Sequence, residues 1–251
     1  VSQTGSSNIA SVDQQVDSTS NSASVTQAGD SNESSVTQSG TTNSATISQG
    51  DDSNFADVNQ VSSGNVATVN QAGSTLETGN SAYVNQDGMN GIVTVDQTGN
   101  SNYANAYQYS NSDGATIDID QLGDSNSAYG YSYNQGAGST ATINQTGDFN
   151  VGSASTYGTG DTSSVTQLGD SNYGSAVSYT DNSSAVIDQE GDSNSAYAYA
   201  GYDQASVSIE QMGDDNYAYG ETYGTNDSIT IEQSGEDHSA NVRAYYGSDN
   251  N

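Results

Sequence analysis

The chain lacks cysteine and has almost no positive charge. Without cysteine, neither disulfide bonds nor thiolate metal sites are available. A single arginine and no lysine stand against 31 acidic residues, which gives a net charge of −30. Nucleic acids and anionic membranes both attract positive charge, so neither is expected as a partner. No apolar run approaches the roughly 18 residues of a membrane span, and no signal peptide is recognisable, so membrane insertion is not expected.

Low hydrophobicity combined with high net charge is typical of disordered chains. Only 31% of the residues are hydrophobic. The apolar residues nevertheless keep a regular spacing along the whole chain, which a disordered sequence has no reason to maintain. The periodicity therefore predicts an ordered repeat protein.

A short segment that ends in glutamine and continues into a glycine-containing turn recurs throughout the chain, as in residues 164–172. From Gln145 onward the copies are 22 residues apart, and earlier intervals of 24 and 26 contain insertions such as residues 76–79. A fixed period of this size predicts a repeat architecture. The anchoring glutamines are Gln3, Gln27, Gln49, Gln71, Gln97, Gln121, Gln145, Gln167, Gln189, Gln211 and Gln233.

Apolar and polar residues alternate before each anchoring glutamine. The position two residues before it is β-branched in every copy, and the position four before it is mostly Ala, Val or Ile. This alternation predicts a strand with one buried face. The glutamine is an even number of residues from the apolar positions, so its side chain is expected to point inward as well. The predicted core residues are Val25, Ile47, Val69, Val95, Ile119, Ile143, Val165, Ile187, Ile209 and Ile231.

A turn and a second strand follow each glutamine. Glycine stands two residues after it in ten of the eleven copies, as a tight turn with positive φ requires. In the second half of the chain, the second strand has Ala or Gly at its inward positions and lacks a glutamine of its own. All 18 tyrosines lie at or beyond Tyr83. Five residues after the anchor, asparagine recurs as Asn8, Asn32, Asn54, Asn102, Asn126, Asn150, Asn172, Asn194 and Asn216.

These patterns predict an all-β fold, a β-solenoid of about eleven two-stranded coils with cross-β, amyloid-type stacking. One coil cannot bury its apolar face alone, and stacking produces a continuous core. We assign residues 1–246 to a single solenoid domain and residues 247–251 to a short polar tail. Because an unpaired amide in a core is costly, the glutamine and asparagine columns are expected to form ladders that satisfy their own hydrogen bonds.

One family matches this pattern. Residues 97–104 read Gln-Thr-Gly-Asn-Ser-Asn-Tyr-Ala, and residues 189–196 read Gln-Glu-Gly-Asp-Ser-Asn-Ser-Ala. The shared Gln-x-Gly-x-x-Asn-x-Ala resembles the curlin repeat, which builds the subunits of curli, the extracellular amyloid fibres of bacterial biofilms. The resemblance implies secretion, head-to-tail polymerisation and a place in cell-surface matrix fibres. It also implies other copies of the chain as partners, with a nucleator subunit and the secretion channel of a curli-type system.

Catalysis is not expected, and no catalytic residue, metal site or cofactor is predicted. His238 and Arg243 are the only members of their classes, and the paired carboxylates recur along one edge instead of converging in a cleft. An acidic column three residues after the anchor allows weak, non-specific Ca²⁺ binding. Repulsion within this column is expected to raise its carboxylate pKa values on stacking, which favours assembly at low pH. Its members are Asp30, Asp52, Asp124, Asp148, Asp170, Asp192, Asp214 and Glu236.

Three alternatives stay open at this point: a monomeric surface adhesin, a calcium-binding solenoid and an ice-binding solenoid. Charged residues such as Asp118 and Asp120 interrupt the outward face that ice binding would need flat and uncharged. A monomer needs polar caps over its terminal coils. The sequence begins in mid-repeat at Val1, so open edges that favour stacking are expected.

Overall fold

The structure is a computed structural model that describes residues 1–15, 18–73, 78–133 and 135–244. All the regular secondary structure in these ranges is β-strand, in two sheets of eleven strands. The chain forms a solenoid of about 11 turns with ~22 residues per turn, so the predicted fold class is confirmed. Residues 76–77 of the insertion, Tyr245, Tyr246 and the predicted tail 247–251 lie outside the described residues. No described segment is a helix long and apolar enough to span a membrane.

Each coil contributes one strand to each sheet. The first sheet contains β1 (Ser2–Thr4), β3 (Ser22–Ala28), β5 (Ser44–Gln49), β7 (Val66–Ala72), β9 (Ile92–Thr98), β11 (Thr116–Leu122), β13 (Thr140–Thr146), β15 (Thr162–Leu168), β17 (Ser184–Glu190), β19 (Ser206–Met212) and β21 (Ser228–Ser234). The second contains β2 (Ile9–Gln14), β4 (Glu33–Gln38), β6 (Phe55–Gln60), β8 (Ser81–Gln86), β10 (Tyr103–Gln108), β12 (Ser127–Ser132), β14 (Val151–Thr156), β16 (Tyr173–Ser178), β18 (Ser195–Ala200), β20 (Tyr217–Thr222) and β22 (Ser239–Ala244).

Every strand pairs in parallel with the equivalent strand of the next coil, so equivalent residues lie beside each other. Between β15 and β17, for example, Val165 pairs with Ile187 and Gln167 pairs with Gln189. The insertions in the first half lengthen the turns without shifting this register, as the pairing of Gln71 with Gln97 shows. A slip of one residue would turn each buried side chain outward, so the alternating pattern fixes the register.

The core is a narrow column of apolar side chains between the two sheets. Ile119, Ile143, Ile187 and Ile209 are fully buried, as the alternation before each glutamine requires. The small residues of the second sheet have a steric cause. A Cβ at Gly130 would lie 2.5 Å from Ile117 Cγ2 of the first sheet. Where the first sheet has bulky residues, only Gly or Ala fits at the opposing positions of the second sheet, because protein interiors are closely packed.

The turn after each anchoring glutamine contains two residues with positive φ wherever the structure describes the whole turn, that is, after every anchor except Gln71. Gly169 has a φ of 117° and Ser171 has a φ of 60°. Asp51, the one non-glycine residue at the glycine position, also has a positive φ, of 65°. Short polar residues tolerate the left-handed region better than bulky ones, which explains the frequent serine two positions after the glycine.

We expect Gly169→Ala to destabilise the fold by at least about 3 kcal/mol, among the large effects of single substitutions. The added Cβ would lie 2.2 Å from the backbone oxygen of Gly191 in the next coil. Gly138→Ala is the matched control: its φ is also positive, at +64°, but nothing lies within 4 Å of the added Cβ. It should lose only about 1–2 kcal/mol from the backbone conformation. Urea denaturation of both variants measures the difference, and equal losses would contradict the close approach of the coils.

Candidate functional site

The anchoring glutamines form one continuous amide column inside the first sheet. Gln167 is 1% exposed, and its Nε2 donates to Gln189 Oε1 at 2.9 Å and to the Val151 carbonyl oxygen at 3.1 Å. The same amide-to-amide bond joins all eleven glutamines from Gln3 to Gln233, at 2.6–2.9 Å. Each amide between the two ends of the column thus acts as donor to one neighbour and acceptor from the other.

A second amide column runs through the first half of the second sheet. It joins Gln14, Gln38, Gln60, Gln86 and Gln108 at 2.8–2.9 Å. In the second half, buried hydroxyls replace these amides in β12, β14, β16 and β20, and alanines replace them in β18 and β22. In β14 and β16 the hydroxyl bonds to a serine that lies in a first-sheet strand or just before one. Ser139 Oγ lies 2.9 Å from Thr156 Oγ1, and Ser163 Oγ donates to Ser178 Oγ at 3.1 Å.

The asparagines form a column of a different kind from the glutamines. Asn172 Nδ2 donates to the Gly191 carbonyl oxygen at 2.7 Å, and the backbone N–H of Asn194 donates to Asn172 Oδ1 at 2.9 Å. The expected amide-to-amide ladder is largely replaced here by bonds between side chain and backbone. His238 continues this pattern, because its backbone N–H donates to Asn216 Oδ1 at 3.0 Å. The column therefore holds the turns of successive coils together.

The acidic column also bonds to the backbone. Asp192 Oδ1 accepts the N–H of Asp170 at 2.8 Å, and equivalent bonds of 2.7–2.8 Å recur at Asp30, Asp52, Asp124, Asp148, Asp170 and Asp214. Hydrogen bonds from the side chain and backbone of Ser6 lower the pKa of Asp30. The expected rise in pKa along this column is therefore wrong for Asp30, since hydrogen bonds to the charged form outweigh desolvation there.

Raised carboxylate pKa values occur at other places. Partial burial and then the neighbouring Asp96 raise the pKa of Asp118. Partial burial, Asp96 and Asp118 together raise the pKa of Asp120 on the same outward face. Burial raises the pKa of Asp161 to about 6, although Asp161 accepts backbone N–H bonds from Ser183 and Gly158.

Among the described residues, no group of three or more His, Cys, Asp or Glu side chains is placed to hold a metal ion. The acidic column spreads its carboxylates along the solenoid axis, one in each of eight coils. Weak Ca²⁺ binding to this column stays a prediction.

The tyrosines of the second half lie in rows on the outer surface of the second sheet and its turns. Tyr133 and Tyr157 are stacked, with ring centroids 4.1 Å apart and an interplanar angle of 7°. Tyr197 and Tyr219 stack at 5.2 Å and 11°. The recurrence of tyrosine once per coil, 24 residues apart in the first pair and 22 in the second, is the sequence signal for the rows, and contact between the rings follows from the close approach of the coils.

Replacing Gln167 with Ala should remove two amide bonds, to Gln145 and Gln189, and leave a buried cavity. We expect a loss of about 1–3 kcal/mol in unfolding free energy, because each neighbouring amide keeps a buried atom without its partner. Leu168→Ala is the control: this adjacent side chain points outward, is 49% exposed and should change stability by less than about 0.5 kcal/mol. Equal urea midpoints for the two variants would contradict the role of the column.

Asp161→Asn should change how stability depends on pH. A folded-state pKa of about 6 against an ordinary 3.8 means that stability is fully present below about pH 3.8 and is lost as the pH rises through about 6. The asparagine should remove this pH dependence, since Asn43 already occupies the equivalent position and its Oδ1 accepts a backbone N–H at 3.0 Å. At pH 7 the relief from burying a charge is offset by the loss of the second acceptor, because Asp161 Oδ2 accepts the Gly158 N–H and an asparagine NH2 cannot. Urea midpoints from pH 4 to pH 7 test this. Exposed Asp170→Asn is the control, and an unchanged pH profile in Asp161→Asn would contradict the assignment.

Comparison with known proteins adds one finding to this geometry. A family model described as the curlin associated repeat matches four regions, residues 19–50, 113–147, 136–169 and 205–235. No curated protein matches the chain. Curlin repeats build structural, non-enzymatic proteins. The matched regions contain the same glutamine, glycine and asparagine columns that continue through the other coils, and the chain is therefore a member of the curlin-repeat family.

Proposed function

We propose that this chain is a secreted structural subunit that polymerises end to end into curli-type amyloid fibres of a biofilm extracellular matrix. The observation that carries the proposal is that the edge strands bear the same inward columns as the interior strands. Val12 on edge strand β2 is 39% exposed, whereas Val36 at the equivalent position of β4 is 1% exposed. A further coil on β2 would bury Val12 as the interior coils bury Val36, which is favourable by about 25 cal/mol per Å² of apolar area.

The opposite edge of the same sheet has a matching feature. Val242 on β22 lies in the inward column and is 40% exposed. Edge strands also present backbone N–H and C=O groups that can pair with another chain. Each edge thus offers both apolar area and hydrogen-bonding groups to another copy.

The glutamine column of the first sheet supports the same arrangement. Gln211 Nε2 donates both to the Ser195 carbonyl oxygen and to Gln233 Oε1. Gln233 Nε2 makes the equivalent backbone bond, to Tyr217 at 3.0 Å. Stacked on β21, Gln3 of another copy would supply the amide oxygen that continues the column.

An extracellular location fits the family and the composition. The chain has no cysteine to oxidise, and its net charge of −30 favours solubility before assembly. We propose other copies of the chain as its main partners, together with a nucleator subunit and a secretion channel of the curli type. Assembly of this kind requires no cofactor, and adhesion and cell aggregation would be properties of the fibre.

Purified chain should form unbranched fibres that are visible by electron microscopy. Fibre diffraction should show a meridional reflection near ~4.8 Å and an equatorial one near ~10 Å, the spacings of strands and of packed sheets. A chain that stays monomeric for days at high concentration would contradict the proposal and favour a monomeric surface adhesin.

Two lysine variants on β2 separate edge stacking from non-specific association. Val12→Lys puts a charge into the inward column and should slow elongation at this edge strongly, because stacking would bury the charge. Ser11→Lys adds the same charge on the outward face and is the control. Seeded elongation measures both, and equal rates would argue against stacking on β2.

A further inference from the structure

We propose that two copies join through their second sheets in one register, with Arg243 of one copy beside Asp13 of the next. This inference rests on the proposed end-to-end assembly and names the contact that gives it register and polarity. The occupant of the β22 edge is then the β2 edge of a second copy of this chain.

The register follows from the pairing inside the chain. Every strand of the second sheet pairs with the strand of the next coil at equivalent positions, as β20 does with β22 and β2 with β4. Both edge strands, β2 and β22, have six residues. Continuing the rule across a junction pairs the inward Val242 with Val12 and the inward Ala240 with Ala10.

The same register brings together two opposite charges on the outward face. Arg243 is the only Arg or Lys in a chain with 31 acidic residues. Asp13 holds the equivalent outward position at the other end of the sheet, and both residues are exposed. Neighbouring strands lie about 4.8 Å apart, which is within the reach of an arginine and an aspartate side chain.

Contacts with the preceding coil already hold Arg243 near the required place. Its Nε lies 3.9 Å from Glu221 Oε2, and its guanidinium carbon lies 5.2 Å from the ring centroid of Tyr219. The side chain is nevertheless 52% exposed. At the junction the single cation would lie between the carboxylates of Glu221 and Asp13, one on each side.

Other ways of stacking lose this contact. A shift of two residues keeps the inward faces but places Arg243 beside Ser11. A shift of one residue turns the valines outward. Stacking β2 on β2 brings two acidic edges together without a cation. The pair therefore favours one register and one polarity out of those that the apolar faces alone would allow.

The first test uses neutral variants and the critical concentration for fibre formation. Arg243→Gln and Asp13→Asn should each raise it about 1.4- to 5-fold, the range for an exposed ion pair. The increase should shrink in high salt, because screening weakens exposed pairs. Unchanged critical concentrations, with fibres still forming, would overturn this inference and leave the proposed function intact. Absence of fibres from the wild-type chain would instead contradict the proposed function.

Charge reversal gives the sharper test. Arg243→Glu and Asp13→Arg should each assemble more slowly than the neutral variants, because every junction then brings like charges together. An equimolar mixture of the two should assemble faster than either alone, since every alternating junction again pairs opposite charges. The double variant with both substitutions should recover in the same way. Failure of both the mixture and the double variant to recover would overturn the inference.

Glu221→Gln is the matched control for a role of Arg243 within its own chain. It removes the carboxylate partner inside the chain and leaves the junction pair with Asp13 in place. We expect its critical concentration to change less than that of Arg243→Gln. If it reproduces the Arg243→Gln effect and the mixed reversal variants do not recover, the contact belongs to the fold of one chain.

Discussion

The amide-to-amide hydrogen bond between successive anchoring glutamines is the interaction on which the rest of the structure depends. It forms only when Gln167 lies directly beside Gln189, so it selects the in-register pairing of whole coils. In that register Val165 meets Ile187 and the backbone ladders are complete. A chain that is only 31% hydrophobic can therefore have an ordered core, because part of that core consists of polar groups that pair with their own copies.

The carboxylates fit this scheme as acceptors. A column of like charges one coil apart is unfavourable, and an isolated column would favour protonation. In the turns, an oxygen of each aspartate of the column accepts a backbone N–H of the adjacent coil, as Asp192 does from Asp170. The charged oxygen thus satisfies a backbone donor where the ladder ends at the turn. Aspartate at this position links coils together, which explains its recurrence in a chain that already has a large negative charge.

The strand positions, the inward or outward direction of each side chain and the register could be predicted from spacing. Successive side chains of a strand point to opposite faces of the sheet without exception. Spacing identifies which residues share a column but leaves their bonding partners undetermined. Asn172 and Gln167 follow the same period, yet Asn172 bonds to the backbone carbonyl oxygen of Gly191, which has a positive φ in the turn of the next coil. The small residues of the second sheet, such as Gly130, depend on the bulk of Ile117 on the facing strand, and a single strand pattern contains no information about that pairing.

The two halves of the chain give its edges different chemistry. The first-sheet column has glutamine at both of its ends, Gln3 and Gln233. The second-sheet column begins with Gln14, whereas Ala244 holds the equivalent position on β22. Across a junction between copies, one amide column would continue and the other would be interrupted. Each junction would then hold fewer buried amide hydrogen bonds than the interior of the first half and would resemble the coils of the second half, where the same amide column is absent.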